Sequence, residues 1–385
     1  MLYHISQWLT NLGLDIPGIR LMNYISFRAM AAAIISMLIA FWAGKDIIRW
    51  LQKKQIGETV RDLGLEGQMQ KKGTPTMGGI IIMLSVVGTA LLVCDLTSIY
   101  TILLLVTTIW CGGIGILDDY IKVFKHNKEG LSERGKLAAQ FALGLFVAVM
   151  MCISTSIHTD MVVTTIPFVK AHEFDYRWLS PFGGQLGVYW TWAVYMIVII
   201  FVILACSNGA NLTDGMDGLS AGTSAIVGVV IGIMAWLSGD AIDSRYLNIM
   251  YLPGSGEVAI YMAAFVGALI GFLWYNTFPA RVFMGDTGSL MIGGVIGVSA
   301  ILIRKELLLP ILCGIFLVES LSVLIQRYYF KYTRKKYGEG RRVFLMAPIH
   351  HHFQKKGIPE PRIVTHFWIV GIILAVSTLA LLKIR

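Results

Sequence analysis

The chain alternates long apolar runs with shorter polar connections. Ten runs lie at residues 24–43, 77–94, 99–117, 137–156, 189–206, 219–237, 258–275, 287–303, 307–326 and 364–382. Each approaches the ~20 residues that a helix needs to cross a hydrocarbon core. None alternates with the two-residue period of a barrel strand, so the pattern predicts an all-α bundle of about ten transmembrane helices. Ahead of them, Leu2, Ile5, Leu9, Leu12 and Ile16 recur at helical spacing as far as Pro17, which predicts a helix lying in the membrane interface. Between the fourth and fifth runs, Val162–Ile166 favours a strand and Pro181–Gly184 a turn, predicting a small extracytoplasmic hairpin. Three runs carry an ionisable group. Arg28 and His366 are near run ends, where they can reach the interface; Glu319 is deeper, with helix pairing and function both open to it.

Composition agrees. Of 385 residues 56% are hydrophobic and 14% charged, against about 25% charged in soluble domains, so residues 1–385 read as one polytopic membrane domain. The net charge of +9 then reports orientation rather than nucleic acid, because the basic residues are unevenly distributed. Segments 44–76, 118–136, 207–218, 276–286 and 327–363 hold 23 Lys and Arg, and the segments on the opposite face hold 8. The positive-inside rule makes the first set cytoplasmic and puts both termini outside. The five cysteines (Cys94, Cys111, Cys152, Cys206, Cys313) lie in or beside apolar runs and suggest neither a disulfide framework nor a zinc site. The 40 glycines suit close helix contacts.

Five aspartates change the picture. Asp118, Asp119, Asp214, Asp217 and Asp286 all fall at run ends on the cytoplasmic face, where a carboxylate is costly unless paired, solvated or bound to a cation. Asp214 and Asp217 belong to Asn211-Leu-Thr-Asp-Gly-Met-Asp-Gly218, a polar stretch between two uncharged runs. Asp118 and Asp119 are followed by Lys122, Lys125 and Lys128, a mixture suited to an anionic substrate with a divalent cation, though helix-end solvation also explains the acids. Asp286 sits between Gly285 and Gly288, which lets backbone approach a phosphate or simply starts a helix with Asp286 as its cap. Lys71–Gly79 combines bases, hydroxyls and glycines without Walker A spacing. His350, His351 and His352 are consecutive, so they point in different directions and do not readily share one metal. Together these stretches describe a cytoplasmic pocket for a phosphate-rich, Mg²⁺-bound substrate, with a second reactant arriving from the membrane.

Lys71–Gly79, Asp118-Asp119-Tyr120, Asn211–Gly218, Asn276–Ala280, Phe283–Leu290 and Met346–His352 resemble, in order, the motifs of the phospho-N-acetylmuramoyl-pentapeptide-transferase family. The first acidic motifs are shared with the wider polyprenyl-phosphate sugar-1-phosphate transferase superfamily, whereas the histidine loop is specific to the muramoyl branch. The resemblance implies ten transmembrane helices, usually a homodimer in the bacterial cytoplasmic membrane. It also implies a Mg²⁺-dependent transfer of phospho-MurNAc-pentapeptide from UDP to undecaprenyl phosphate, giving lipid I and UMP. It casts Asp286 as a metal ligand with Asp118 and Asp119 beside it, and one of that pair as a candidate base. Asn211, Asp214 and His350 match residues required for activity. Lys71, Gly215, Asp217, Asn276 and Phe283 match a uridine pocket, and Thr76 and Gln326 match pocket-lining positions. Lys122, His351 and His352 join them as expected substrate contacts. The chain departs from the family pattern at Ser207–Ala210, at Met216 and in a longer Tyr328–Gly340 stretch.

A GlcNAc-1-phosphate transferase would lack the histidine loop. A transporter would carry charges at the membrane midplane, and a scaffold would not gather its acids on one face. The orientation is testable by thiol labelling in a cysteine-free background. Lys128→Cys and Gly338→Cys are expected to resist impermeant reagents in intact cells while Glu173→Cys reacts; the reverse pattern turns the bundle over.

Overall fold

The computed structural model describes residues 1–13, 18–54, 73–125, 130–153, 162–167 and 173–382. They form a nearly all-helical bundle. Its centre is α10 (Gly285–Leu302), where every residue from Thr287 onward is buried. That helix is apolar or small all round, the signature of a helix with no lipid-facing side. Around it pack α3 (Gly79–Val93), α4 (Ile99–Phe124), α6 (Gly184–Thr213) and α7 (Leu219–Gly239). Beyond them, the chain passes through the short α8 (Ala241–Leu247) to α9 (Gly256–Asn276), which bridges α7 to α2 (Ile25–Lys53), and α5 (Glu133–Ile153) rests on α6. The N-terminal stretch expected to lie in the interface forms α1 (Leu2–Asn11); Pro17 lies outside the described residues.

Glycine sets how closely these helices approach. A Cβ on Gly115 of α4 would stand 2.3 Å from the Asp286 carbonyl oxygen, and one on Gly79 would stand 2.1 Å from the Gly288 nitrogen. On the α6 side, Gly293 meets the Cys206 carbonyl at 2.2 Å in the same sense. Backbone therefore packs on backbone at three places around the first half of α10, as small residues permit between membrane helices.

The helices differ from the apolar runs in length. Among the described residues eight helices are individually long and apolar enough to cross a membrane. A ninth span is counted if α11 (Leu309–Leu312) and the turn before it are joined to α12 (Gly314–Tyr337), across a bend of 76°. Helix α3 has only 15 residues, about 22 Å at 1.5 Å per residue. In contrast α2, α4 and α6 run beyond their apolar stretches, because hydropathy marks lipid contact whereas helical hydrogen bonding continues into polar sequence. Asp118 and Asp119 thus lie inside α4, not after it. Basic Arg334, Lys335 and Lys336 occupy the last turn of α12, which stops at Gly338 with φ 77°.

Two local expectations change. Arg28 does not reach for the interface: it is buried, its guanidinium lies 2.7 Å from Glu257 at the start of α9 and 4.3 Å from the Tyr3 ring. Pairing with Glu257 offsets part of the desolvation cost of the buried guanidinium. The strand pair is β1 (Val163–Thr165) with β2 (Glu173–Asp175), antiparallel, so the second strand precedes Pro181–Gly184. It rests on Arg304 and Lys305, whose buried ammonium donates to Thr165 Oγ1 at 2.6 Å. All five cysteines are free thiols.

Gly115→Ala is expected to lower the detergent melting temperature, by about 1–3 kcal/mol of stability, since the added methyl meets backbone. Gly113→Ala, on the same helix with nothing within 4 Å, should leave it unchanged. Equal melting of the two variants removes the close approach as a constraint.

Candidate active site

Close packing of α4 on α10 brings three carboxylates together. Ligand oxygens of Asp118, Asp119 and Asp286 all lie within 4.8 Å of one another. Their environments differ. Asp119 caps α10: its Oδ1 accepts the Asp286 N–H at 3.2 Å, and its Oδ2 accepts the Thr287 N–H at 3.0 Å and the Thr287 hydroxyl at 2.7 Å. The cap of α10 therefore comes from α4, while Asp286 occupies the first turn. Gly285, with φ 71°, makes the turn into the helix beneath Asp119 and Thr76.

Asp118 and Asp286 face two ammonium groups. Lys122 Nζ is 2.6 Å from Asp118 Oδ2 and 3.0 Å from Asp286 Oδ2. Lys136, from the first turn of α5, is 2.9 Å from Asp118 Oδ1 and 2.6 Å from Asp286 Oδ2. The Leu131 N–H also donates to Asp118 at 2.7 Å. Asn211, near the end of α6, donates to the other Asp286 oxygen at 2.8 Å and to Ser289 at 2.9 Å. The donor set is hard oxygen, which suits a small divalent cation with open positions for water or phosphate. The lysines neutralise most of the negative charge and offer cationic partners for phosphate oxygens.

The 211–218 turn is held from a second side. Asp217 is buried; its Oδ2 accepts the Ala280 N–H at 3.0 Å, and its N–H donates to Glu360 at 2.8 Å. Asn276 accepts the Gly218 N–H and donates to the Val282 carbonyl. Phe283 pairs its backbone with Pro75 and Gly78, joining this loop to Gly73–Gly79. Beside Pro75 lies a cavity of about 440 Å³ with Lys45, Arg49, Gln52, Thr74, Tyr275 and Arg281 on its walls, a basic recess at the same end of the bundle. Lys71 lies outside the described residues.

The histidines go to three partners. On α13 (Ile349–Lys355), His350 is buried with Nδ1 3.0 Å from Glu319 Oε2 of α12. His351 Nδ1 lies 3.2 Å from Gln354 Oε1. His352 Nδ1 accepts the Leu345 N–H at 3.1 Å, and partial desolvation together with Lys356 holds its imidazole below the ordinary value. Gln326 uses its amide on the loop, accepting from Val343 and Phe344 N–H and donating to the Phe344 carbonyl. A small core of Met216, Leu219, Ile363 and Val364, with Phe353 and Trp368 against it, ties α13 and α14 (Glu360–Leu381) to the 211–218 turn. Asp214 closes α6 half-buried, and exposed Gly215 abuts the His350 ring.

The structure thus gathers Asp118, Asp119, Asp286, Asn211, Lys122 and Thr76 at one point. Asp214, Gly215 and His350 meet at a second, and Asp217, Asn276 and Phe283 at a third. Sequence reasoning missed Lys136, Thr287, Ser289 and Glu360. Lys136 left one trace, a cation immediately before an apolar run; the others look like ordinary helix residues.

The family model for glycosyl transferase family 4 matches residues 101–304, which include the carboxylate cluster. The fold and site therefore define a membrane-embedded glycosyl transferase of that class. Full-length relatives narrow it. The chain is 52% identical to the phospho-N-acetylmuramoyl-pentapeptide-transferases of Parabacteroides distasonis and of Flavobacterium psychrophilum, and 48% identical to that of Porphyromonas gingivalis, over 100% of each chain. It belongs to the phospho-N-acetylmuramoyl-pentapeptide-transferase family.

Asp119→Ala should destabilise the metal-free protein by about 1 kcal/mol or more, the scale of a lost helix cap. Thermal melting in EDTA reads this out, and an unchanged melt would show that α10 does not depend on the α4 carboxylate.

Proposed function

We propose that the protein transfers phospho-N-acetylmuramoyl-pentapeptide from UDP to undecaprenyl phosphate, forming lipid I and UMP. The observation that carries this reading is the cluster of three carboxylates and two lysines at the start of α10. The relatives' names supply the transferred group, phospho-N-acetylmuramoyl-pentapeptide, in support of the reading.

A phosphate oxygen of the lipid attacks the sugar-bearing phosphorus. The bond from that phosphorus to the bridging oxygen breaks, and its electron pair leaves with UMP. One pyrophosphate link replaces another, so no net proton need be taken up. The lipid phosphate is already anionic near neutral pH, and the demand on the protein is positioning and charge neutralisation. Asp118 and Asp286 are the proposed Mg²⁺ ligands, with Asp119 close enough to complete the set. The ion would supply electrophilic stabilisation of the phosphoryl oxygens. Lys122 and Lys136, which pair with Asp118 and Asp286, would be the cationic partners of the substrate phosphates. Asn211 steadies Asp286 throughout. The hydrogen bonds that engage Asp119 favour direct attack by the lipid phosphate over an aspartyl intermediate at that residue.

The uridine is assigned to Gly215, Asp217, Asn276 and Phe283, with Lys71 added from the sequence motif alone, and the histidine loop with Asp214 to the sugar and its peptide. Thr76 and Gln326 stay as lining residues. The same reading places the site on the cytoplasmic side of the bacterial inner membrane, built from the basic segments, with both termini outside. It also gives a homodimer as the assembly. The basic recess near Arg281 would raise the local concentration of an anionic donor on this face.

Purified protein given UDP-MurNAc-pentapeptide, undecaprenyl phosphate and Mg²⁺ should release UMP, and EDTA should stop it. Asp286→Asn is expected to reduce turnover by roughly 10²-fold, as loss of one preorganised electrostatic contact does. Near-normal turnover in that variant removes Asp286 from the metal site, and equal use of UDP-GlcNAc moves the chain to the other branch.

A further inference from the structure

Glu319 is a buried carboxylate that lies outside the carboxylate cluster. It is fully buried on α12, as is His350 on α13, and their contact of 3.0 Å joins Glu319 Oε2 to Nδ1 of the imidazole. A carboxylate accepts only, so in the neutral ring the proton sits on Nδ1 and the lone pair on Nε2. That Nε2 is buried and has no hydrogen-bond partner. It faces Gly215: a Cβ there would stand 2.1 Å from Nε2. The orphaned nitrogen is thus aimed at the Asp214–Asp217 turn, which is otherwise pinned by Glu360, Ala280 and Asn276. Buried polar atoms almost always find partners, and one left unpaired at a site points to a group that arrives later.

We propose that Glu319 is a positioning residue of the transfer reaction. It fixes the plane and tautomer of His350 so that Nε2 offers an acceptor lone pair to an O–H or N–H donor of the sugar-peptide substrate. This rests on the function proposed above and narrows it. In the neutral state His350 recognises a hydroxyl or amide of the substrate and does not donate to its pyrophosphate, which leaves phosphate binding to Lys122 and Lys136. Glu319 acts only through His350, and its distance from the carboxylate cluster in the sequence hides the link.

The test combines a double-mutant cycle with a tautomer measurement on the full-length protein. Glu319→Met, close to isosteric and without an acceptor, should lower UMP release on the order of 10- to 100-fold, the usual scale for losing the partner that orients a functional histidine. Glu319→Gln keeps an acceptor for Nδ1–H and should lose less. In a His350→Gln background, Glu319→Met should cost nothing further, whereas independent roles add. Nitrogen-15 spectra of histidine-labelled protein at pH 8, with the His350 signal identified by its loss in His350→Gln, should show protonation at Nδ1. Wild-type turnover by Glu319→Met, additive losses in the double variant, or protonation at Nε2 would each overturn the proposal. Should Glu319→Met fail to fold, the wild-type spectrum and the activity of Glu319→Gln still decide it. Absence of UMP release from the wild-type protein would instead defeat the proposed function and leave the tautomer result standing.

Discussion

The contact on which the site depends is the hydrogen bonding of Asp119 to the start of α10. One carboxylate from α4 takes up two backbone N–H groups and a hydroxyl that would otherwise be orphaned at a buried helix end. Asp119 and Thr287 are buried, so water does not substitute for the carboxylate there. The same contact fixes the separation of α4 and α10, since Gly115 lies against the Asp286 backbone. Asp118 and Asp286 are therefore set face to face by bonds in which the Asp286 backbone N–H takes part but neither of their carboxylates does. Asp119 thus uses its carboxylate on the helix start while its neighbour Asp118 faces the two lysines.

Charge balance follows from that arrangement. Three carboxylates against two ammonium groups leave one negative charge in a largely buried cluster, enough to invite a divalent cation and too little to repel a polyanionic donor. Each lysine bridges Asp118 to Asp286 and so holds the two carboxylates in place. Lys136 comes from α5 and Lys122 from α4, so α5 is part of the site although it carries none of its acids.

The second half of the site rests on a small apolar core rather than on charge. Met216, Leu219, Ile363 and Val364 hold the 211–218 turn beneath α13, and Trp368 fills the space that Gly222 leaves open. The bend of 76° before α12 carries Glu319 beneath His350. Helix geometry thus delivers a histidine to a turn from the far end of the chain.

Much of this was legible in the sequence. Hydropathy located the apolar portion of each membrane helix, and three of the five aspartates singled out at run ends meet in one cluster. These features are local: lipid contact and charge distribution are written in each segment separately. Partnerships were not legible. Asp119 with Thr287, Arg28 with Glu257 and His350 with Glu319 join residues on different helices, and periodicity carries no information about which faces meet. Lys136 counted only as one more basic residue, and Glu319 had two equal readings until α13 folded onto α12. The sequence by itself determined that the chain is an all-helical membrane protein with acids and bases at one end. Tertiary structure alone decided which carboxylate caps a helix, which face the lysines, and which histidine nitrogen is left to meet a ligand, because burial and hydrogen bonding exist only once the helices touch.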